Sequence, residues 1–162
     1  MRKKQKNKKI CFICSSGGHF YEMYHFKEIA KNFDSFLITE KTEKFSTDFC
    51  KDVYFVSEIN RREKTFIFHF LYIFLKELWI FIIKRPDYII STGALCSYPM
   101  ILIGHFFKKK IIYVESYARV NELSTTGKKV YKISDLFFVQ WQELAQKYNK
   151  AIYVGSIFGE IQ

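Results

Sequence analysis

Three short stretches hold the residue types that acid–base chemistry on a phosphorylated ligand requires. Ser15-Ser16-Gly17-Gly18-His19 combines small hydroxyls, two glycines and an imidazole. Placed between a strand and a helix, such a turn offers backbone N–H groups and the positive helix end to an anion. The spacing is neither G-x-G-x-x-G nor a P-loop, so the nucleotide motifs proper are absent, and a plain tight turn is the competing reading. His19 has a neutral form near physiological pH and could act as a general base or donate to phosphate; the alternative is that it caps the turn. Ser91-Thr92-Gly93-Ala94 and Glu115-Ser116-Tyr117-Ala118-Arg119 are the other two stretches. A carboxylate at Glu115 could hold sugar hydroxyls and Arg119 could pair with phosphate, unless the two form a surface ion pair with each other.

These stretches need a scaffold that brings them to one rim. Short apolar runs suggest seven strands: Ile10–Cys14, Phe36–Thr39, Asp52–Val56, Tyr88–Ser91, Ile111–Val114, Leu136–Val139 and Ile152–Val154. Helical patterns lie between them at His19–Asn32, Phe66–Ile83, Pro99–Phe107, Ser124–Ser134 and Glu143–Tyr148. Continuous rather than alternating apolar strands, separated by helices, predict a parallel sheet covered on both faces, a doubly wound Rossmann-like α/β fold. The three stretches then fall at strand C-termini, where such folds bind ligands.

Phe66–Ile83 is apolar apart from His69, Lys76 and Glu77, and as a helix it would be about 27 Å long, near the hydrocarbon thickness of a bilayer. It lies between the third and fourth strands, which could not share a sheet if it crossed a membrane. Thr65, His69, Tyr72 and Lys76 also mark a narrow polar stripe. The expectation is a crossover helix packed on the sheet by one side, with Phe66, Phe70, Phe74 and Trp79 reaching a membrane interface. An ordinary, very aromatic core helix is the alternative.

The formal charge is +10, and six basic residues stand among the first nine, including Lys3 and Lys4, with no acid. Residues 1–9 are therefore read as a basic arm and residues 10–162 as one domain. Charge gathered in an arm fits attraction to anionic lipid better than a basic nucleic-acid face, so no nucleic-acid partner is expected. Aromatics at 19% exclude a disordered chain. The arm is no signal peptide, because its apolar continuation is too short, and a cytoplasmic setting follows by default. Cys11 and Cys14 spell C-x-x-C, but on a strand they point to opposite faces, and the four histidines are scattered. No metal and no cofactor are expected.

Ile10–Phe20 (ICFICSSGGHF), Asp87–Gly93 (DYIISTG), Tyr113–Val120 (YVESYARV), Asp135–Glu143 (DLFFVQWQE) and Ile152–Phe158 (IYVGSIF) resemble the PssD-type exopolysaccharide glycosyltransferase subunits. Those are relatives of the membrane-anchoring subunit of the bipartite UDP-N-acetylglucosamine transferase of N-glycan assembly. The resemblance implies the N-terminal half of a glycosyltransferase B fold, similar to the acceptor-binding half of MurG. It implies a separate donor-binding subunit resembling the C-terminal half of MurG, and a lipid-diphosphate-linked sugar acceptor. It further implies an inverting transfer in capsule or exopolysaccharide assembly, peripheral on the cytoplasmic face of the membrane, by a chain inactive alone. His19 and Glu115 match loop residues of MurG and are the candidate catalytic groups. Ser15, Ser16, Gly17, Gly18, Thr92, Gly93 and Arg119 would face the acceptor diphosphate. A peripheral membrane-binding module with no enzymatic part is the other reading.

Overall fold

The computed structural model describes residues 8–41, 48–59 and 63–159. Lys3 and Lys4 lie outside the described residues. Seven strands form one sheet: β1 (Lys9–Cys14), β2 (Asp34–Glu40), β3 (Asp52–Val56), β4 (Tyr88–Gly93), β5 (Lys110–Val114), β6 (Leu136–Val139) and β7 (Ala151–Tyr153). All six pairings are parallel, in the order β3-β2-β1-β4-β5-β6-β7. The chain winds outward one way from β1 and then the other way from β4, so the switch point lies between those two strands. Lys9, counted with the basic arm from sequence, opens β1 and pairs with Asp34 at 3.2 Å.

Alternation along β1 feeds two cores. Cys11 and Ile13 join the layer under α3 (Phe66–Lys84) and α4 (Tyr98–Phe106). Ile10, Phe12 and Cys14 join the layer under α1 (Gly18–Tyr24) and α2 (Lys27–Asn32), where Met23, Ala30 and Phe49 close over them. The two C-x-x-C thiols thus sit on opposite faces, and both are fully buried. Among the described residues no group of His, Cys, Asp or Glu could hold a metal ion.

The single helix expected over His19–Asn32 is two. The amides of His25 and Phe26 bind carbonyls three residues back, on Glu22 and Met23, and this tight turn ends α1. The last long helix is also shorter than expected: α5 covers Thr125–Val130, capped by Ser124, and the Ser134 hydroxyl takes the Val130 carbonyl. The remaining helix, α6, spans Gln142–Lys147.

α3 has the length and composition of a membrane span, yet it returns the chain from β3 at the sheet edge to β4 at its centre. Ile73, Glu77, Ile80 and Phe81 are buried, one face at helical spacing. Phe66, Phe70 and Phe74 were expected outside but are half-buried; Phe70 lies 6.4 Å from the Tyr98 ring of α4 and Phe74 packs against the core. They stand on the inner flank because α4 occupies that side. Trp79 does face outward, 58% exposed, in a row with Ile67, Phe68, Leu71, Leu75 and Ile82.

Candidate functional site

β4 ends in a register shift. Ile13 pairs with Ser91, but Cys14 pairs with Gly93, so Thr92 is skipped by the β1 ladder. A bulge re-aims the residue it frees. Thr92 turns to α1 and makes two bonds with His19: its hydroxyl donates to the His19 carbonyl at 2.7 Å, and its carbonyl accepts from His19 Nδ1 at 2.8 Å. A carbonyl can only accept, so Nδ1 carries the proton and Nε2 keeps its lone pair. Burial pushes the imidazole below its ordinary pKa, and the nearby Arg119 charge adds to that. His19 is therefore neutral at pH 7, with its basic nitrogen unspent on Thr92.

Gly93 makes this fit possible. It has φ +113°, and a Cβ there would lie 3.0 Å from the Tyr113 hydroxyl and 3.1 Å from His19 Cε1. Gly93→Ala is expected to dislodge the imidazole and to cost about 1–3 kcal/mol of stability. Thermal melts and the chemical shifts of the His19 ring would report the two effects.

His19 opens onto a cleft of about 380 Å³ with Ala94 and Leu95 on one wall and Ser116, Arg119 and Ser124 on the other. Arg119 is exposed at its mouth. Glu115 is not: it is fully buried, and its carboxylate accepts from the Ser116 amide at 3.0 Å, the Ser124 amide at 3.0 Å and the Ser124 hydroxyl at 3.1 Å. The alternative of a surface Glu115–Arg119 ion pair is not what the structure shows, since the Glu115 carboxylate is turned inward to these donors. Glu115 organises the loop before α5, and Gly127 leaves it room, since a Cβ there would sit 2.0 Å from Glu115 Oε2. Burial raises the Glu115 pKa against those bonds.

The glycine turn divides in two. Gly17 and Gly18 are exposed, with open space where a Cβ would be, and leave the first-turn amides of α1 approachable. Ser15 is buried with its hydroxyl turned to the Ser16 carbonyl, and Ser16 leans on the buried Glu40 carboxyl at 3.4 Å. Thr92 and Ser15 are thus internal braces rather than open ligand contacts.

Sequence reasoning missed Glu22. It is 4% exposed; its Oε1 accepts from the Ser116 hydroxyl at 2.9 Å and the Tyr117 amide at 3.0 Å. It ties the helix that bears His19 to the loop that bears Arg119. The available signal was its place three residues after His19, on the same helix face. Gln140 was missed too: it bonds the Glu115 carbonyl at 3.0 Å and the Ile157 amide at 2.9 Å. That second bond seats the C-terminal segment, where Phe158 packs on Tyr21, His25 and Tyr117 with ring centroids 5.2–5.5 Å apart.

The chain is similar to known proteins in sequence and in fold. Over 77 residues the chain is 42% identical to the UDP-N-acetylglucosamine transferase subunit alg14 of Schizosaccharomyces pombe, covering 44% of this chain and 37% of the relative. Over 79 residues it is 40% identical to the human subunit of that name, covering 45% and 37%. The matched stretch is thus little more than a third of the length of these relatives. In fold, the chain superposes on MurG of Acinetobacter baumannii with a TM-score of 0.73 at 11% identity, covering 92% of this chain and 46% of MurG. It superposes on UDP-N-acetylglucosamine 2-epimerase of Rickettsia bellii with a TM-score of 0.72 at 16% identity, covering 94% and 46%. These likenesses establish the Rossmann-like fold of one half of a glycosyltransferase B architecture. A family model described as "Oligosaccharide biosynthesis protein Alg14 like" matches residues 10–157, and the chain, with its glycine turn, His19 and the Glu115 loop inside that span, belongs to this family.

Proposed function

We propose that the chain is the acceptor-side subunit of a two-chain inverting glycosyltransferase. It takes a lipid-diphosphate-linked sugar at the membrane surface, while a separate subunit resembling the C-terminal half of MurG brings the UDP-sugar. What carries this reading is His19: a neutral imidazole, its Nδ1–H engaged by Thr92, opening onto a cleft with a cation at its mouth. In an inverting displacement the acceptor hydroxyl gives its proton to a base as it attacks the anomeric carbon, and UDP leaves from the opposite face. His19 Nε2 is that base. Arg119 and the amides of the Gly17-Gly18 turn hold the acceptor diphosphate, and Glu115 and Glu22 fix the loop that carries Arg119. The donor subunit docks beside the cleft, against the rim formed by Tyr21, Tyr117, Trp141 and Phe158. The PssD-like motifs favour a capsule or exopolysaccharide as the product.

Co-purifying the chain with a donor half encoded in the same genome, then supplying UDP-N-acetylglucosamine and a lipid-diphosphate sugar, tests this. Transfer by the pair and by neither chain alone is expected. Activity of the chain by itself, or none from a stable pair with any UDP-sugar, overturns the reading.

The exposed row on α3 is the membrane-facing surface, lying peripherally on the cytoplasmic side. Phe68, 74% exposed, and Trp79, 58% exposed, keep most of their surface outside the core. Phe68→Glu with Trp79→Glu is expected to cut flotation with liposomes by at least about tenfold while leaving the thermal melt within about 1 kcal/mol of wild type.

A further inference from the structure

We propose that Thr126 determines sugar specificity: its hydroxyl binds a ring hydroxyl of the acceptor's first sugar, whose apolar face lies on Ala94 and Leu95. The proposal rests on the acceptor-side reading above and adds to it the part of the cleft that reads the sugar. Thr126 is 3% exposed and lines the cleft onto which His19 opens. Among the described residues its hydroxyl has no hydrogen-bond partner. A polar group so deeply enclosed is costly to leave unpaired, and a ligand hydroxyl in the cleft would pair it.

The neighbouring serines of that wall are already engaged. Ser116 Oγ donates to Glu22 Oε1 at 2.9 Å. Ser124 Oγ donates to Glu115 Oε2 at 3.1 Å and accepts from the Gly127 amide at 2.9 Å, the bond that caps α5. These two hydroxyls shape the wall and are not free to read a ligand. Thr125 also lines the cleft, but it is exposed, so water serves its hydroxyl as well as a ligand would. Thr126 combines burial, an unpaired hydroxyl and a place on the cleft wall.

Charge decides what kind of group Thr126 meets. Two buried carboxyls, Glu22 and Glu115, stand behind this wall. Glu115 lies close against the backbone of α5, since a Cβ on Gly127, the residue after Thr126, would sit 2.0 Å from its Oε2. A phosphate beside Thr126 would therefore face carboxyls, whereas at the mouth it meets the exposed Arg119. The mouth suits the diphosphate, and the interior suits a neutral group that carries hydroxyls. The facing wall is apolar and firmly held: Ala94 adopts φ 71°, which L residues rarely take, and its carbonyl accepts from the Ser97 hydroxyl at 2.8 Å. A pyranose ring has the same division, with C–H groups on its face and hydroxyls at its edge. His19 stands at this cleft too, so the ring that Thr126 orients is the one whose attacking hydroxyl gives up its proton.

Calorimetric titration of the full chain tests the assignment. The probes are a short alkyl diphosphate bearing glucose, galactose or N-acetylglucosamine, and the same alkyl diphosphate without sugar. Wild type is expected to bind at least one sugar-bearing probe more tightly than the bare one. Thr126→Val keeps the shape and removes the hydroxyl; it should bind the preferred sugar probe roughly tenfold more weakly and the bare probe unchanged. Thr126→Ser should keep most of the wild-type affinity, and Arg119→Ala should weaken all four probes alike. Circular dichroism melts establish that each variant is folded. Monodeoxy forms of the preferred sugar make the test independent of any variant: loss of one ring hydroxyl should weaken wild type roughly tenfold and Thr126→Val no further. A Thr126→Val chain that binds the sugar probe like wild type, or that loses the bare probe equally, overturns the subsite and leaves the acceptor-side reading standing. So does a wild type that binds the bare probe as tightly as every sugar probe, or a deoxy series in which no position matters. A wild type that binds none of the four probes overturns the acceptor-side reading itself.

Discussion

His19→Ala lowers the turnover of the reconstituted two-chain enzyme by roughly 10²–10⁴-fold, the loss expected when a positioned general base is removed. At about 1.4 kcal/mol per decade, that is 3–5.5 kcal/mol of transition-state stabilisation. The chain's fold should barely respond, because the imidazole is only partly buried and its backbone carbonyl still accepts from Thr92. The pH profile separates a base from a brace. His19 works as the neutral imidazole, so kcat/KM should fall as pH drops through its pKa, which burial and Arg119 place below the ordinary value. The acid limb therefore lies below about pH 6.5. Arg119→Ala removes one of the depressing influences and should move that limb upward, in addition to weakening acceptor binding. Thr92→Val removes the hydroxyl but keeps the carbonyl that orients Nδ1, so it should lose less than His19→Ala. A His19→Ala enzyme with near wild-type turnover would leave the chain as a recruiting scaffold only.

Glu77→Met raises stability at neutral pH by about 2 kcal/mol or more, the opposite of the usual sign for a core substitution. Glu77 is fully buried on the inner face of α3, and neither carboxylate oxygen makes a well-formed hydrogen bond; the nearby Met100 backbone offsets only part of the cost of burial. Burial pushes its pKa well above the ordinary carboxyl value. The folded state therefore holds the proton over a pH range where the unfolded chain releases it. Stability from this group is complete below about pH 4.5 and declines by about 1.4 kcal/mol per pH unit as pH rises towards the folded pKa. Methionine is near glutamate in length and leaves no polar group to desolvate. Denaturant melts of both proteins from acid to neutral pH would show the difference widening with pH. A variant less stable than wild type at pH 7 would mean that the carboxyl is satisfied in solution.

The strands were readable because a parallel sheet buried on both faces needs continuous apolar runs, and each of the seven expected runs falls within or overlaps a strand. The position of α3 followed from chain order alone. Its outward face did not: an aromatic side chain such as Phe66, Phe70 or Phe74 suits a core and an interface alike, and the packing of Tyr98 and the rest of α4 decides which flank is covered. At the site, His19, Arg119 and the glycine turn were legible because turn position after β1 and β5 places them on one rim. The roles of Thr92 and Glu115 were not. Thr92 owes its contact to a one-residue bulge, and Glu115 owes its burial to Ser124 and Gly127, partners nine and twelve residues later. Glu22 and Gln140 act through tertiary contacts, and only the place of Glu22 three residues after His19 hinted at one of them.

The burial of the thiols gives the chain a practical property. Cys11, Cys14 and Cys96 are enclosed in the core, and Cys50 is half-covered with its thiol pushed up to about 11. Maleimide chemistry runs through the thiolate, so the native sulfurs are close to silent at neutral pH. A cysteine introduced at Ile67, Leu75 or Phe106 could carry a spin label or fluorophore in an otherwise wild-type background. A row of such probes along α3 and at Phe106 would measure tilt and immersion depth one residue at a time.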